Sequence, residues 1–294
     1  MNTSTRDPRE MGPKPPFPQQ QQTHPGSVHK MDPAADHGET SYQGTGKLKG
    51  RATIITGGDS GIGRAVAIAF AKEGADVLIS YLPEEQADAD DTASVIAAAG
   101  VKVAKLAADL RDPETPQKLV ETAIKEFGHL DILVNNAAYQ MSHEKIDELS
   151  AEEFEHTFRT NVFGTFLMTQ AALKKLPPGG VVLNTTSIQA YDPSPQLIAY
   201  AATKAAILSM TKSIAGLAMK QGVRVNAVAP GPVWTPLIPS TMPEEKVKNF
   251  GGNTDFGRPA QPIELARIFV FLASDDASYA TGEVYAATGG RTPY

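Results

Sequence analysis

The chain has 294 residues, 41% of them hydrophobic and 20% charged, with a formal net charge of −6. That size and composition can bury a sizeable core, and such mild acidity lacks the clustered basic face that DNA or RNA binding requires. There is no cysteine, which excludes disulfides, thiolate catalysis and cysteine-ligated zinc or iron–sulfur sites.

Residues 1–48 form a polar Pro/Gln-rich N-terminal extension. Pro8, Pro13, Pro15, Pro16, Pro18, Pro25 and Pro33 break any helix, and Gln19–Gln22 is a polar tract. Large apolar residues are scarce, so the segment is expected to be disordered or extended on its own. Two roles stay open: a solubilising tail, or an arm that wraps a neighbouring subunit. The first 22 residues lack a secretory apolar core, and no run reaches the ~18 apolar residues of a membrane span. The expectation is a cytoplasmic protein with neither nucleic acid nor membrane among its partners.

Residues 49–294 read as one α/β domain. Strands are predicted at Ala52–Thr56, Asp76–Tyr81, Val101–Ala107, Ile132–Val134, Gly180–Thr185, Val223–Val228 and Glu283–Ala287. Helices are predicted between them at Ile62–Lys72, Glu84–Ala99, Glu114–Phe127, Ala151–Leu176, Ala199–Gln221 and Ile263–Ala273. Several strands are apolar on both faces, as in a parallel sheet covered by helices on both sides. The predicted fold is a single Rossmann-like doubly wound parallel sheet of about seven strands. Ligands of such sheets bind beyond the C-terminal strand ends.

Thr56-Gly57-Gly58-Asp59-Ser60-Gly61-Ile62-Gly63 joins the first strand to the first helix. Glycines allow a tight turn and close approach of backbone to a pyrophosphate. The helix N-terminus adds free N–H groups and a positive dipole end. The spacing is G-x-x-x-G-x-G rather than the commoner G-x-G-x-x-G. Further on, Tyr200-Ala201-Ala202-Thr203-Lys204 puts a phenol and an ammonium on one helix face. A lysine cation beside a tyrosine favours the phenolate, and a phenol so tuned can exchange a proton with a carbonyl or alcohol oxygen.

The glycine turn, Asn135-Asn136-Ala137-Ala138, Asn161, Ser187, Tyr200-x-x-x-Lys204 and Pro230-Gly231-Pro232-Val233-Trp234-Thr235 together resemble the short-chain dehydrogenase/reductase family. The resemblance covers roughly residues 48–290, in the family's order, and points to a bacterial branch with a long polar N-terminal extension. It implies a nicotinamide-dependent oxidoreductase that moves a hydride to or from a small carbonyl or alcohol. Tyr200 would be general acid in reduction and base in oxidation. Lys204 would hold the nicotinamide ribose and lower the tyrosine pKa. Ser187 would hydrogen-bond the substrate oxygen, and Asn161 would anchor a water in a proton relay. Gly57, Asp59, Ser60, Gly61, Ile62, Gly63, Tyr81, Asp109, Leu110, Asn135, Pro230, Gly231, Val233 and Thr235 would join Tyr200 and Lys204 around the cofactor. Of these, Asn135 would meet the ribose, Asp109 the adenine, and Val233 and Thr235 the carboxamide and phosphates. Ala138 departs from the glycine usual at its place.

The second strand ends Ser80-Tyr81-Leu82-Pro83, followed by Glu84 and Glu85. Glu84, Glu85 and Asp59 would repel a 2′-phosphate and no cation is near in sequence, so of NAD and NADP the lean is to NAD. Gln140, Gln189, Tyr191 and Trp234 are candidates for the substrate wall, and residues 237–256 for a mobile lid. No Arg or Lys stands among the four wall candidates, which argues mildly against a phosphorylated substrate. The six histidines lack metal-ligand spacing and read as surface or tail residues; no metal is expected. Two other functions use the same fold: an epimerase or dehydratase that retains its NAD, and a non-catalytic dinucleotide-binding scaffold. The family resemblance further implies a homotetramer, with Gly289–Tyr294 at or near a subunit interface.

Overall fold

The computed structural model describes residues 7–291. Its centre is a seven-stranded parallel sheet in the order β3-β2-β1-β4-β5-β6-β7. The strands are β1 (Ala52–Thr56), β2 (Asp76–Tyr81), β3 (Val103–Ala107), β4 (Ile132–Asn135), β5 (Val181–Thr185), β6 (Arg224–Pro230) and β7 (Val284–Ala287). The main helices are α1 (Gly61–Lys72), α2 (Gln86–Ala98), α3 (Thr115–Phe127), α4 (Ala151–Phe158), α5 (Gly164–Leu173) and α6 (Ile198–Ala218). Two short ones, α7 (Leu237–Thr241) and α8 (Glu244–Lys248), precede α9 (Pro262–Ala273).

Alternation along the strands divides the core. Ile55, Val77 and Val134 join the cluster formed with α1 and α9 on one face. Ala52, Ile54 and Leu133 point to the other face, against α3, α5 and α6. Every β1 residue is buried, as a central parallel strand requires. The strand order reverses between β1 and β4, each paired in parallel with the other, and ligands of such sheets bind at that crevice.

The predicted helix over 151–176 is one continuous course with a flaw. Arg159–Phe163 forms a π-helical turn between α4 and α5, and the fully buried Asn161 sits in it. A single π turn inside a helix commonly marks a functional site. Its extra residue is invisible to a periodicity argument.

The N-terminal extension differs most from expectation. Its described part, residues 7–48, is extended but lies along its own chain, not free. Phe17, Met31, Tyr42 and Leu48 are buried. Phe17 stacks on Trp234 with ring centroids 4.2 Å apart. Its amide donates to the Lys248 carbonyl at 2.8 Å, and the Ile263 amide donates to the Asp36 carbonyl at 3.1 Å. The Arg258 guanidinium donates to the Pro8 carbonyl at 2.7 Å. Glu73, itself buried, accepts from the Tyr42 hydroxyl and from the amides of Thr45 and Lys47 at 2.8 and 2.9 Å. Average composition misses these few spaced anchors, which together with backbone hydrogen bonds offset the entropy of ordering the segment. Of the C-terminal stretch Gly289–Tyr294, residues 292–294 lie outside the described residues.

Candidate active site

A cavity of about 620 Å³ opens beyond the C-terminal ends of β1 to β5, within the size range of small-molecule and cofactor sites. The turn after β1 forms its floor. Gly57 and Gly61 adopt φ of 59° and 51°, a left-handed conformation that favours glycine. An added Cβ at Gly57 would lie 2.9 Å from the Ala137 backbone. At Gly63 it would overlap the Gly57 carbonyl, so this glycine keeps α1 pressed against the turn. Asp59, Ser60, Gly61 and Ile62 line the cavity, with the first turn of α1 behind them to favour negative charge.

Neighbouring strands brace this turn. The Thr56 hydroxyl accepts from the amides of Asn136 and Ala137 at 3.0 and 3.1 Å, and the Asn136 side chain donates to the Gly57 carbonyl at 3.0 Å. Asn136 lines the cavity; Asn135 does not. The Asn135 amide donates to Thr169 and Asn184 at 3.0 and 2.9 Å, tying β4 to α5 and β5 beneath the site. The expectation that its side chain meets the ribose is therefore corrected. Two adjacent asparagines at a strand end face opposite ways, and composition gives no hint of which faces the ligand.

Tyr200 and Lys204 reach the same cavity from the first turns of α6. Lys204 is 1% exposed; its Nζ lies 5.3 Å from the centre of the Tyr200 ring and donates to the Thr185 carbonyl at 2.8 Å. Burial holds the ammonium down, to about 7. Burial also pushes the Tyr200 phenol up to about 12, only partly offset by the Ser187 hydroxyl beside it. A lysine cation beside the ring would pull the phenol down, but in the cofactor-free protein loss of solvation dominates both groups. Ser187 is buried, and its oxygen accepts from the Gln189 amide at 3.1 Å.

Asn161 does not line the cavity. Its side chain accepts from the Tyr139 amide at 2.7 Å and donates to the Tyr139 carbonyl at 2.9 Å and the Thr203 hydroxyl at 3.0 Å. It thus fixes the chain after β4 against α6. Both polar atoms of its side chain have partners, which position the Tyr139 segment.

Tyr81, Asp109 and Leu110 line the far end of the cavity, and Thr235 its lid side. Asp109 is held below the usual carboxylate range by hydrogen bonds from Arg111, which also lines the cavity. Pro230, Gly231 and Val233 are not on the cavity wall. The Gly231 amide donates to the Ala287 carbonyl at 2.9 Å, and Val233 bridges to Ala260. They carry the chain out of β6 and deliver Thr235 to the site.

The substrate-wall candidates fare similarly. Trp234 is fully buried beneath the N-terminal segment, its Nε1 donating to the Pro33 carbonyl at 2.7 Å. Gln140 is buried and donates to Thr241 at 3.0 Å; Gln189 accepts from the Ser194 amide at 2.6 Å. Neither they nor Tyr191 line the cavity, whereas Leu237 and Ser240 of the expected lid do. Arg111 supplies the cation that sequence distance had hidden. His24 and His37 belong to the N-terminal extension as expected, but His24 lines the cavity, as does the half-buried His156, and His37 is buried.

Both grounds for the lean to NAD weaken. Asp59 is 1% exposed and one of its oxygens has no partner. Burial, then Glu85 nearby, push its pKa well above the ordinary value, and burial raises Glu85. Burial that raises a carboxyl pKa disfavours the charged form that would repel a phosphate.

A family model described as enoyl-(acyl carrier protein) reductase matches residues 57–292. The chain is 51% identical to an uncharacterized oxidoreductase, YhdF, of Bacillus subtilis, over 93% of this chain and 94% of that one. It is 44% identical to a glucose and ribitol dehydrogenase of Daucus carota, over 93% and 96% of the two chains. It is 42% identical to an NADPH-dependent aldehyde reductase of Arabidopsis thaliana, over 92% and 96%. A crystal structure of a short-chain dehydrogenase from Burkholderia cenocepacia in complex with NADP superposes with a TM-score of 0.78 at 29% identity, over 83% of this chain and 99% of that one.

Proposed function

The chain belongs to the short-chain dehydrogenase/reductase family and is an oxidoreductase; within that frame we propose that it reduces small aldehydes, ketones or sugar-like carbonyls at the expense of NADPH, with Tyr200 as proton donor. The observation that carries this is the meeting of Tyr200 and Lys204 with the glycine turn on one cavity. The nicotinamide group, when bound, supplies the hydride to the carbonyl carbon. The glycine turn and Thr235 would hold its phosphates, and Lys204 its nearer ribose. The Tyr200 phenol gives its proton to the carbonyl oxygen, and the Ser187 hydroxyl donates a hydrogen bond to that oxygen as charge develops. Carbon gains the hydride, oxygen the proton, and the product is an alcohol. A buried phenol with its pKa pushed up to about 12 carries the proton that this step donates.

The preference for NADPH is supported by the relative named for that cofactor and by the NADP complex. It fits the burial that raises the pKa of Asp59 and Glu85 and the presence of Arg111. The carbonyl class is supported by the relatives named for aldehydes and for glucose and ribitol. A homotetramer is supported by apolar side chains left exposed on two faces. Phe163, Phe166 and Leu217 lie on or beside α5 and α6, Phe271 lies on α9 and Tyr279 beyond it. A cytoplasmic location agrees with the cysteine-free composition.

Parallel titrations with NADPH and NADH, followed by turnover on a panel of aldehydes, ketones and aldoses, test the proposal. Nicotinamide fluorescence is the readout, because Trp234 lies under the N-terminal segment. Tighter binding of NADPH with carbonyl-dependent oxidation supports it. Binding of neither nucleotide refutes it.

A further inference from the structure

The cavity has a wall supplied by the N-terminal extension. Residues 22–28 cross the cavity mouth from α7 to α2. On one side the Gln22 amide donates to the Pro239 carbonyl at 2.9 Å. On the other, the Val28 amide and the Ser27 hydroxyl donate to the buried Asp88 carboxylate at 2.8 and 3.2 Å. The Gln22 side chain also accepts from the Ser27 amide at 2.7 Å, which fastens the strap to itself. Between these anchors, His24, Pro25 and Gly26 line the same cavity as the glycine turn and Lys204. At Gly26 an added Cβ would lie 2.5 Å from the Pro236 carbonyl, so the strap is seated against the residue that follows Thr235.

The side chains at this wall suit an anion. His24 packs edge-on against Tyr139 with centroids 5.1 Å apart, and Tyr139 against His156 at 4.4 Å. His156 Nδ1 lies 2.9 Å from the Arg111 guanidinium. Asp109 is already engaged by Arg111, and Glu84, which also lines the cavity, lies close enough to act on the same guanidinium. Among the described residues His24 has no hydrogen-bond or ion-pair partner, so its ring nitrogens are available to a ligand.

We propose that this strap is part of the dinucleotide site, with His24 meeting the phosphate backbone of the bound cofactor and the strap slowing its release. The inference rests on the dinucleotide reading above. The glycine turn and His24 line one cavity, so backbone N–H groups and a ring N–H can meet the phosphates of one ligand. Covering a cofactor in this way also sets its exit rate.

The test is stopped-flow displacement of NADPH from full-length wild type, His24→Ala and His24→Gln, with melting temperatures measured alongside. His24→Ala should release NADPH about tenfold faster and bind it about tenfold more weakly, the factor of one charge-assisted hydrogen bond. Its melting temperature should not change, and His24→Gln, which restores an N–H donor, should recover part of the loss. Release and affinity within twofold of wild type in both variants overturn the strap assignment. A wild type that binds neither NADPH nor NADH overturns the dinucleotide reading itself.

Discussion

Replacing Lys204 by Met should stabilise the cofactor-free protein while destroying turnover. The lysine is 1% exposed, and burial lowers its pKa from 10.5 to about 7. The unfolded chain therefore holds a proton between these values that the native protein has released, and native stability rises with pH across that window. Below about pH 7 the native protein carries the full cost of burying the ammonium. At about 1.4 kcal/mol per pH unit the ceiling is about 5 kcal/mol. Losing the bond to the Thr185 carbonyl returns about 1 kcal/mol, and water in the cavity screens part of the rest. A net gain of about 2–3 kcal/mol at pH 6 remains, or roughly 5 °C in a chain of this size. The assay is thermal unfolding of Lys204→Met and wild type, without nucleotide, from pH 6 to 10.5. The advantage of the variant should be largest at pH 6 and disappear as pH approaches 10.5. A variant less stable than wild type at pH 6, or a gap that does not change with pH, refutes the reasoning.

Other consequences can be checked singly. Phe17→Ala removes the ring stacked on Trp234 and should cost about 3 kcal/mol, seen as a lower melting temperature and a shifted tryptophan emission. Gly63→Ala would force α1 away from the Gly57 carbonyl, so nucleotide binding should fall by at least tenfold in the titration, a loss of about 1.4 kcal/mol or more. Phe166→Asp places a charge on an exposed apolar face of α5 and should lower the mass found by light scattering if that face is an interface; an unchanged mass would rule it out as one.

Periodicity located all seven strands, because buried parallel strands are short apolar runs and α1, α3 and α9 keep a steady apolar face. It could not register the π turn at Arg159–Phe163, where one extra residue shifts the helix phase without altering its composition. Motif order brought Tyr200, Lys204, Thr235 and the glycine turn to one cavity, since each stands at a strand end or helix start whose position the topology sets. Side-chain direction was not legible. Asn135 and Asn136 are equivalent in sequence but opposite in space, and Trp234 is turned away by the Phe17 and Pro33 it packs on. Those partners are about 200 residues distant in the chain. Only tertiary packing reveals that His24 shares a cavity with Tyr200. One available signal was overlooked: isolated aromatic and apolar residues such as Phe17, Met31 and Tyr42 in an otherwise polar segment are candidate anchors.

The most direct test of the central claim is NADPH oxidation by Tyr200→Phe beside wild type, with an aldehyde that the wild-type enzyme reduces. NADPH affinity should stay within about twofold of wild type, a difference of about 0.4 kcal/mol, and turnover should fall by at least a hundredfold, the least expected for loss of a general acid at about 1.4 kcal/mol per tenfold. Turnover within tenfold of wild type would contradict it, because the proton would then reach the carbonyl oxygen from another group.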